Sequence, residues 1–308
     1  MPPSGARPGI PSALVLVARG SPLSRAQAAE AIAALGGALG GTLIESRWVT
    51  THGDRSTATD FRGQSSIGVF EKEVDEEVLA RRADVGVHSL KDLPPMLAPG
   101  LAVAAVLPRG PSGDLLVGTS PPPRLEDLRP GTRIGTSSPR RQAMVRYHAP
   151  GTILVPMRGN VETRIEKMRS GECDYVMLAE AGVRRLGLEV PSRALPVLDY
   201  PPAPGQGIIA LVSRADEIGT FAVLRERARG AWEAMQAERS FLAAIGGGCS
   251  KALGGQLSPS GDRFVGMAWK EDGSARKSVS VPAAGLPPEE LGRRAAAELE
   301  KAPWRKRP

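Results

Sequence analysis

Apolar positions along the chain switch repeatedly between two patterns. Short runs of consecutive apolar residues fit strands buried on both faces, and apolar residues recurring at three- and four-residue intervals fit helices packed on one side. The pattern predicts a strand over 14–18, an alanine-rich helix over 25–39 and a second strand over 42–50. Residues 53–66 are polar and glycine-containing and read as a mobile loop. Phe70, Val74 and Val78 then recur at helical spacing over 70–82, followed by strands over 83–88 and 101–107. Strand-helix-strand order of this kind implies a parallel sheet with crossover helices.

Pro121-Pro122-Pro123 marks a boundary, after which the same alternation restarts. It predicts strands over 132–135, 152–156 and 175–179, and helices over 140–147 and 161–170. A second break, Pro201-Pro202-Ala203-Pro204-Gly205-Gln206-Gly207, precedes a strand over 208–212. A helix over 232–245 runs into Gly246-Gly247-Gly248. The tail, with strand-like stretches over 264–269 and 278–281 and a helix over 288–301, reads as a small α+β unit.

Composition narrows the class. Of 308 residues, 41% are hydrophobic and 24% charged, the balance of a globular protein of two or three domains. No apolar run approaches the roughly 18 residues that span a bilayer. The run Ala13–Ala18 is too short for a signal-peptide core and ends at Arg19, so the expected location is the cytoplasm. Two cysteines, Cys173 and Cys249, are too few for a disulfide framework. With only His52, His88 and His148 beside them, no zinc site is expected. Net charge is +7, which points to an anionic partner. The bases are 32 arginines against 8 lysines. Arginine's planar fork grips a carboxylate at two points, which lysine cannot do.

The chemistry concentrates at turns. Arg19-Gly20-Ser21-Pro22 follows the first strand, and Thr136-Ser137-Ser138-Pro139-Arg140-Arg141 follows a strand in the second half. In each, serine suits the helix cap and proline the first helical position. Arg158-Gly159-Asn160 offers a third such turn. Helix N-termini present free N–H groups and partial positive charge, so two α/β units facing one another would bind an anion in their cleft. Taken singly, a Ser-Pro pair is more often only a cap. Three such turns, each with an arginine alongside, favour a ligand site.

Two further segments carry reactive groups. His88-Ser89-Leu90-Lys91-Asp92 sits at the end of a strand, where Asp92 suits a general acid/base or a charge that steadies a cation, or simply caps a turn. Cys249, behind three glycines, has the access that a nucleophile or attachment point needs, or is an ordinary exposed thiol. Cys173, opening an apolar strand, reads as buried and inert.

Together, Ala18-Arg19-Gly20-Ser21-Pro22-Leu23, Val87-His88-Ser89-Leu90-Lys91-Asp92, Gly135-Thr136-Ser137-Ser138-Pro139-Arg140-Arg141-Gln142, Arg158-Gly159-Asn160-Val161-Glu162-Thr163-Arg164, Pro204-Gly205-Gln206-Gly207 and Gly247-Gly248-Cys249 closely resemble the hydroxymethylbilane synthase family, also called porphobilinogen deaminases. The resemblance implies an α/β enzyme with two periplasmic-binding-protein-like domains, built on mixed, mostly parallel sheets, plus a small α+β C-terminal domain. On that pattern residues 1–112 with 201–225 form the first domain, 113–200 the second and 226–308 the third. It implies a transferase that joins four porphobilinogen molecules head to tail with loss of ammonia, giving linear hydroxymethylbilane for porphyrin and heme biosynthesis. A dipyrromethane cofactor would hang by a thioether from Cys249. Asp92, beside Lys91, would assist amine departure and stabilise the cationic methylene-pyrrole species. Arg140, Arg141, Arg164, Ser137, Ser138 and Lys91 would hold the cofactor, and Arg19, Ser21, Thr136, Arg158 and Arg185 the substrate. The family's habit implies a monomer that needs no metal. The chain departs from the pattern at Ile67, where some bacterial relatives carry lysine, and at Ser250-Lys251-Ala252.

Two rival readings remain at this stage. A solute-binding protein shares the cleft but needs neither Asp92 nor Cys249. A nucleic-acid binder fits the net charge, but only 4% of residues are aromatic and no reading helix stands out, so no nucleic-acid or membrane partner is expected.

Overall fold

The computed structural model describes residues 12–50, 71–246 and 252–307. The loop expected over 53–66, Ile67 and the turn containing Cys249, Ser250 and Lys251 lie outside the described residues.

The chain opens with β1 (Ala13–Arg19), α1 (Pro22–Leu39) and β2 (Leu43–Val49). After α2 (Lys72–Leu79) come β3 (Val85–Ser89), a 3₁₀ turn (Leu90–Asp92) and β4 (Leu101–Val106). β5 (Asp114–Val117), β6 (Arg133–Gly135), α3 (Pro139–His148), β7 (Ile153–Val155), α4 (Val161–Arg169), β8 (Tyr175–Ala179), α5 (Glu180–Arg185) and β9 (Ser192–Ala194) follow. The chain then runs through β10 (Ile209–Arg214), α6 (Ala222–Arg227) and α7 (Arg229–Ala244). It closes with β11 (Leu253–Leu257), β12 (Arg263–Trp269), β13 (Ala275–Pro282), α8 (Pro288–Lys301) and β14 (Arg305–Lys306).

Three sheets result. The first has the order β2-β1-β3-β10-β4 and the second β7-β6-β8-β5-β9. In the first, β1 runs parallel to β2 and β3, while β10 runs antiparallel to β3 and β4. In the second, β6 runs parallel to β7 and β8, while β5 runs antiparallel to β8 and β9. Each sheet is thus mixed and mostly parallel, as expected, with one reversed strand in fourth place. That reversed strand is in each case the first one laid down after the chain crosses between the sheets. The outward crossing lies between β4 and β5, so the proline run 121–123 falls inside the second unit rather than at its border. The expected break at 201–207 does coincide with the return crossing before β10.

Period-two alternation explains how β1 is buried on both faces of its sheet. Leu14, Leu16 and Ala18 pack with Leu35 and Leu39 of α1 on one face. Val17 packs with Val74 and Val78 of α2 on the other. A strand buried on both faces needs an unbroken apolar run, which is what the sequence carries.

The third sheet, β11-β12-β13-β14, is antiparallel and packs against α7 and α8. Its core, around Phe241, Phe264, Leu291 and Leu299, is continuous with one face of the first sheet. Met267 and Trp269 of β12 join Ile134, Met144 and Tyr147 in the core of the second. The third unit is therefore seated on both others.

At that second contact His148 is packed between the rings of Tyr147 and Tyr200, with centroids 4.9 and 4.8 Å away. Burial, with the Arg276 guanidinium adding to it, lowers its pKa to about 4, and the Glu126 carboxylate opposes them. The unfolded chain therefore binds this proton more readily than the folded one between about pH 6.5 and 4. His148 should contribute its full stability above that window and lose it as pH falls through it. The His148→Phe variant is expected to show a flatter fall in melting temperature between pH 6.5 and 4 than the parent. Superimposable profiles would count against it.

Candidate active site

The equivalent sheet orders place the sequence echo at matching points. Arg19-Gly20-Ser21-Pro22 leaves the second-place strand of the first sheet, and Thr136-Ser137-Ser138-Pro139 leaves the second-place strand of the second. Both turns lie at the carboxyl ends of parallel strands, where open α/β sheets place ligand sites.

On the first sheet, Ser21 caps α1 by accepting from the Ser24 N–H at 3.3 Å, with Pro22 at the first helical position. Gln27 of α1 donates to the Ser89 hydroxyl at 2.7 Å, which ties this helix to the end of β3. Buried Leu90 and Leu93 pin the 3₁₀ turn, and the Leu90 N–H donates to the Ile208 carbonyl at 3.0 Å. This leaves Lys91 half-buried and Asp92 exposed. Gly205 of the return crossing lies against the same turn with φ +80°, and a side chain there would strike Leu90 and the Lys91 backbone.

On the second sheet, Ser137 donates to the Met157 carbonyl at 3.0 Å and accepts from the Met157 N–H at 2.9 Å, joining its turn to the Arg158 turn. Ser138 caps α3, accepting from the Arg141 N–H at 3.5 Å. Thr136 is buried, and its carbonyl accepts from Gln142 at 3.1 Å. Arg164 donates to the Gly159 carbonyl at 2.8 Å, and Arg158 is exposed. Asn160 occupies the cap position of α4 but makes no side-chain cap bond.

Arg140 and Arg141 are buried, and both meet Asp114, which is fully buried. Arg140 reaches one Asp114 oxygen at 2.7 Å, and Arg141 reaches the other at 2.8 Å. Arg141 also donates to the Met177 carbonyl at 2.9 Å. Asp114 is held far below the usual carboxylate range by the two guanidinium groups, which overcome the opposing effect of burial.

Electrostatics link the two sheets. Burial pushes the Lys91 ammonium down, Asp92 opposes this, and Arg141 and Arg140 press it down further. Burial, then Arg141, lowers Arg164 to about 10, while Asp92 opposes them. Asp92 of the first sheet and Arg141 of the second therefore act on the same two cations. Among the described residues, four cations, Lys91, Arg140, Arg141 and Arg164, share this neighbourhood with two anions, Asp92 and Asp114. The unbalanced positive charge suits a carboxylated ligand, and the donor set fits a dipyrromethane whose rings carry acidic side chains.

Arg185 stands apart from this group. Its side chain is largely buried at the junction of the two sheets, with Glu30 of α1 at 3.0 Å and the Gly207 carbonyl at 3.0 Å. Arg19 and Ser21 lie at the end of β1, linked to the Asp92 turn through the Gln27–Ser89 bond. Cys249 is outside the described residues and follows in sequence after α7, which ends at Ala244. On α7, Arg239 donates to the Pro95 carbonyl at 2.8 Å, so the helix leading to Cys249 is fastened to the loop following Asp92.

Sequence reading missed the groups that hold this arrangement together. Fully buried Glu238 of α7 meets Arg109 at 2.5 Å and accepts from the Gly205 and Leu257 N–H groups at 2.6 and 3.0 Å. Gln206 is buried and donates to the carbonyls of Ser112 and Gly113 and to Asp114. The only signal for any of them is a lone polar residue beside apolar or glycine-rich sequence.

Residues 14–221 match the model of the porphobilinogen deaminase, dipyrromethane cofactor binding domain. The chain belongs to the porphobilinogen deaminase family. A probable porphobilinogen deaminase of Ignicoccus hospitalis is 41% identical over 82% of this chain and 84% of its own length. The porphobilinogen deaminase of Syntrophomonas wolfei is 40% identical over 93% of this chain and 94% of its own length. Among solved structures, the periplasmic aliphatic sulphonate binding protein SsuA of Escherichia coli is 12% identical, with a TM-score of 0.42 over 76% of this chain and 70% of that one. The family expected from the motifs stands, and with it the enzyme class, a transferase, and the dipyrromethane cofactor.

Proposed function

We propose that this porphobilinogen deaminase joins four porphobilinogen molecules head to tail, releases ammonia, and frees linear hydroxymethylbilane, as a monomer in the cytoplasm. The proposal includes three domains, 1–112 with 201–225, 113–200 and 226–308. Among the described residues no helix is long and apolar enough to cross a membrane. The observation that carries the reading is the shared electrostatic neighbourhood of Asp92, Lys91, Arg141 and Arg164, drawn from two sheets around one aspartate.

When bound through Cys249, dipyrromethane supplies a covalent primer to which pyrrole units are added. Arg140, Arg141, Arg164, Lys91, Ser137 and Ser138 hold its acidic side chains. Arg19, Ser21, Thr136, Arg158 and Arg185 serve the incoming substrate. Every pyrrole unit adds two carboxylates, and an excess of fixed cations offsets that growing charge. Asp92 sets a negative charge beside the substrate carbon that becomes cationic as its amine leaves. Tethering the growing end near Asp92 makes each addition intramolecular on one side.

Intact-mass measurement tests the reading. Protein freed of cofactor and incubated with porphobilinogen should gain the mass of two pyrrole units, and supplying more substrate should give further increments. Protein that stays at its polypeptide mass throughout would return the solute-binding reading.

A further inference from the structure

We propose that Asp114 is a positioning residue for carboxylate binding, acting through the forks of Arg140 and Arg141 and tied by Gln206 to the crossing between the sheets. This rests on the reading of Arg141 as a cofactor-binding residue.

Arginine binds a carboxylate well only when its planar fork is aimed, and an unanchored arginine loses side-chain freedom on binding. Here the aim is set from behind. Asp114 opens β5, the first strand after the outward crossing, and its side chain is completely buried. One oxygen takes Arg140 at 2.7 Å. The other takes Arg141 at 2.8 Å and, at its Nε, 3.2 Å. Carbonyl acceptors complete the orientation, Pro201 for Arg140 at 3.2 Å and Met177 for Arg141 at 2.9 Å. One carboxylate cannot neutralise two guanidinium groups, so the pair keeps a positive charge to present to a ligand.

The anchor is itself fixed to both crossings. Gln206 sits on the return crossing and donates to the Asp114 carboxylate at 2.9 Å. The same amide donates to the Ser112 carbonyl at 2.7 Å and the Gly113 carbonyl at 3.1 Å on the outward crossing. Arg109 donates to the Gln206 carbonyl at 3.1 Å and meets Glu238 of α7. A continuous polar chain therefore runs from the helix that leads to Cys249, through the crossings, to the arginines expected to grip the cofactor attached there.

The test is a double-mutant cycle read by mass, using full-length protein freed of cofactor. The measured quantity is the porphobilinogen concentration giving half-maximal adduct formation, with the melting temperature of each cofactor-free variant recorded alongside. Asp114→Asn preserves shape and removes the charge that orients the forks. It is expected to raise the half-saturating concentration about tenfold, and Arg141→Ala is expected to do the same, while Asp114→Asn adds clearly less than tenfold to Arg141→Ala, because only the share carried by Arg140 is left to lose. Additive effects overturn the positioning role, as does an unchanged value for Asp114→Asn beside a raised one for Arg141→Ala. A lowered value for Asp114→Asn also overturns it, because charge rather than aim would then govern binding. An unchanged value for Arg141→Ala instead overturns the reading on which the inference rests. Should Asp114→Asn fail to fold, Gln206→Met removes one anchor of the carboxylate. It should raise the value about threefold in the parent and by less than that in the Arg141→Ala background, again as non-additivity demands. No change in the parent, or the same rise in both backgrounds, overturns the proposal.

Discussion

The Cys249→Ser variant is expected to remain at its bare polypeptide mass after incubation with porphobilinogen and to lose turnover by at least about a thousandfold. The argument rests on the atom. A thiol reaches its thiolate within a few pH units of neutrality, and the thiolate is the attacking species. A serine hydroxyl of the same shape stays protonated at any working pH. Without the bond, the first two pyrrole rings depend on ionic contacts alone, and the growing end leaves between additions. Cys173 supplies the control. It is buried at 2% exposure, and burial pushes its thiol up, away from reactivity. A Cys173→Ser variant should keep the adduct. An adduct retained by Cys249→Ser and lost from Cys173→Ser would move the attachment point to the second sheet.

Much of the fold could be read from the sequence, for physical reasons that also explain the misses. β1, β3, β8 and β10 are strands covered on both faces, and their unbroken apolar runs announce them. β5 is four residues between Gly113 and Gly118, too short to stand out from a loop. β11 does not stand out as a strand because of Gly254 and Gly255. A side chain at Gly254 would strike the Pro201 carbonyl, and one at Gly255 the Phe241 ring, so these glycines permit close packing rather than flexibility. β9 is exposed at the sheet edge and has no apolar face to show.

The site divides along the same line. Ser21 and Ser138 were legible because a cap is local chemistry, decided by residues three or four positions apart. The link between Asp92 and Arg141 could be reached only through the family resemblance, since nothing local joins residues so distant in the chain. Arg140 and Arg141 look alike in sequence to the surface pair Arg293-Arg294. Arg293 and Arg294 bond to Glu290 and Glu298 on their own helix, while Arg140 and Arg141 face a carboxylate from another strand. Asp114 and Glu238 carry no local signature, and Gln206, though part of the Pro204-Gly205-Gln206-Gly207 motif, shows no role there, because each matters only through partners brought together by the crossings.

For Asp92→Asn the expectation is a protein that folds and primes but turns over at least about a hundredfold more slowly, with kcat falling more than KM rises. Folding should survive because Asp92 is exposed and makes no ion pair with a side chain among the described residues, and asparagine keeps its size. Catalysis should not, because what is lost is a unit charge. At about 4 Å and an effective dielectric near 20, such a charge is worth about 4 kcal/mol to a neighbouring cation, or about a thousandfold in rate. Because positive charge develops on the methylene carbon and its pyrrole ring only as the amine departs, the interaction of Asp92 with that centre is stronger in the transition state than in the bound substrate, and it belongs to kcat. The surroundings sharpen the effect. Lys91, Arg141 and Arg164 raise the positive potential around Asp92, and an unaided cation forming there would be repelled. Asp92 is the anion that opposes this field at both Lys91 and Arg164. Asp92→Glu, which keeps the charge and moves it by one methylene, should retain more activity than Asp92→Asn. Equal losses in the two variants would assign Asp92 to shape rather than charge, and near-parental kcat in Asp92→Asn would remove it from the reaction altogether.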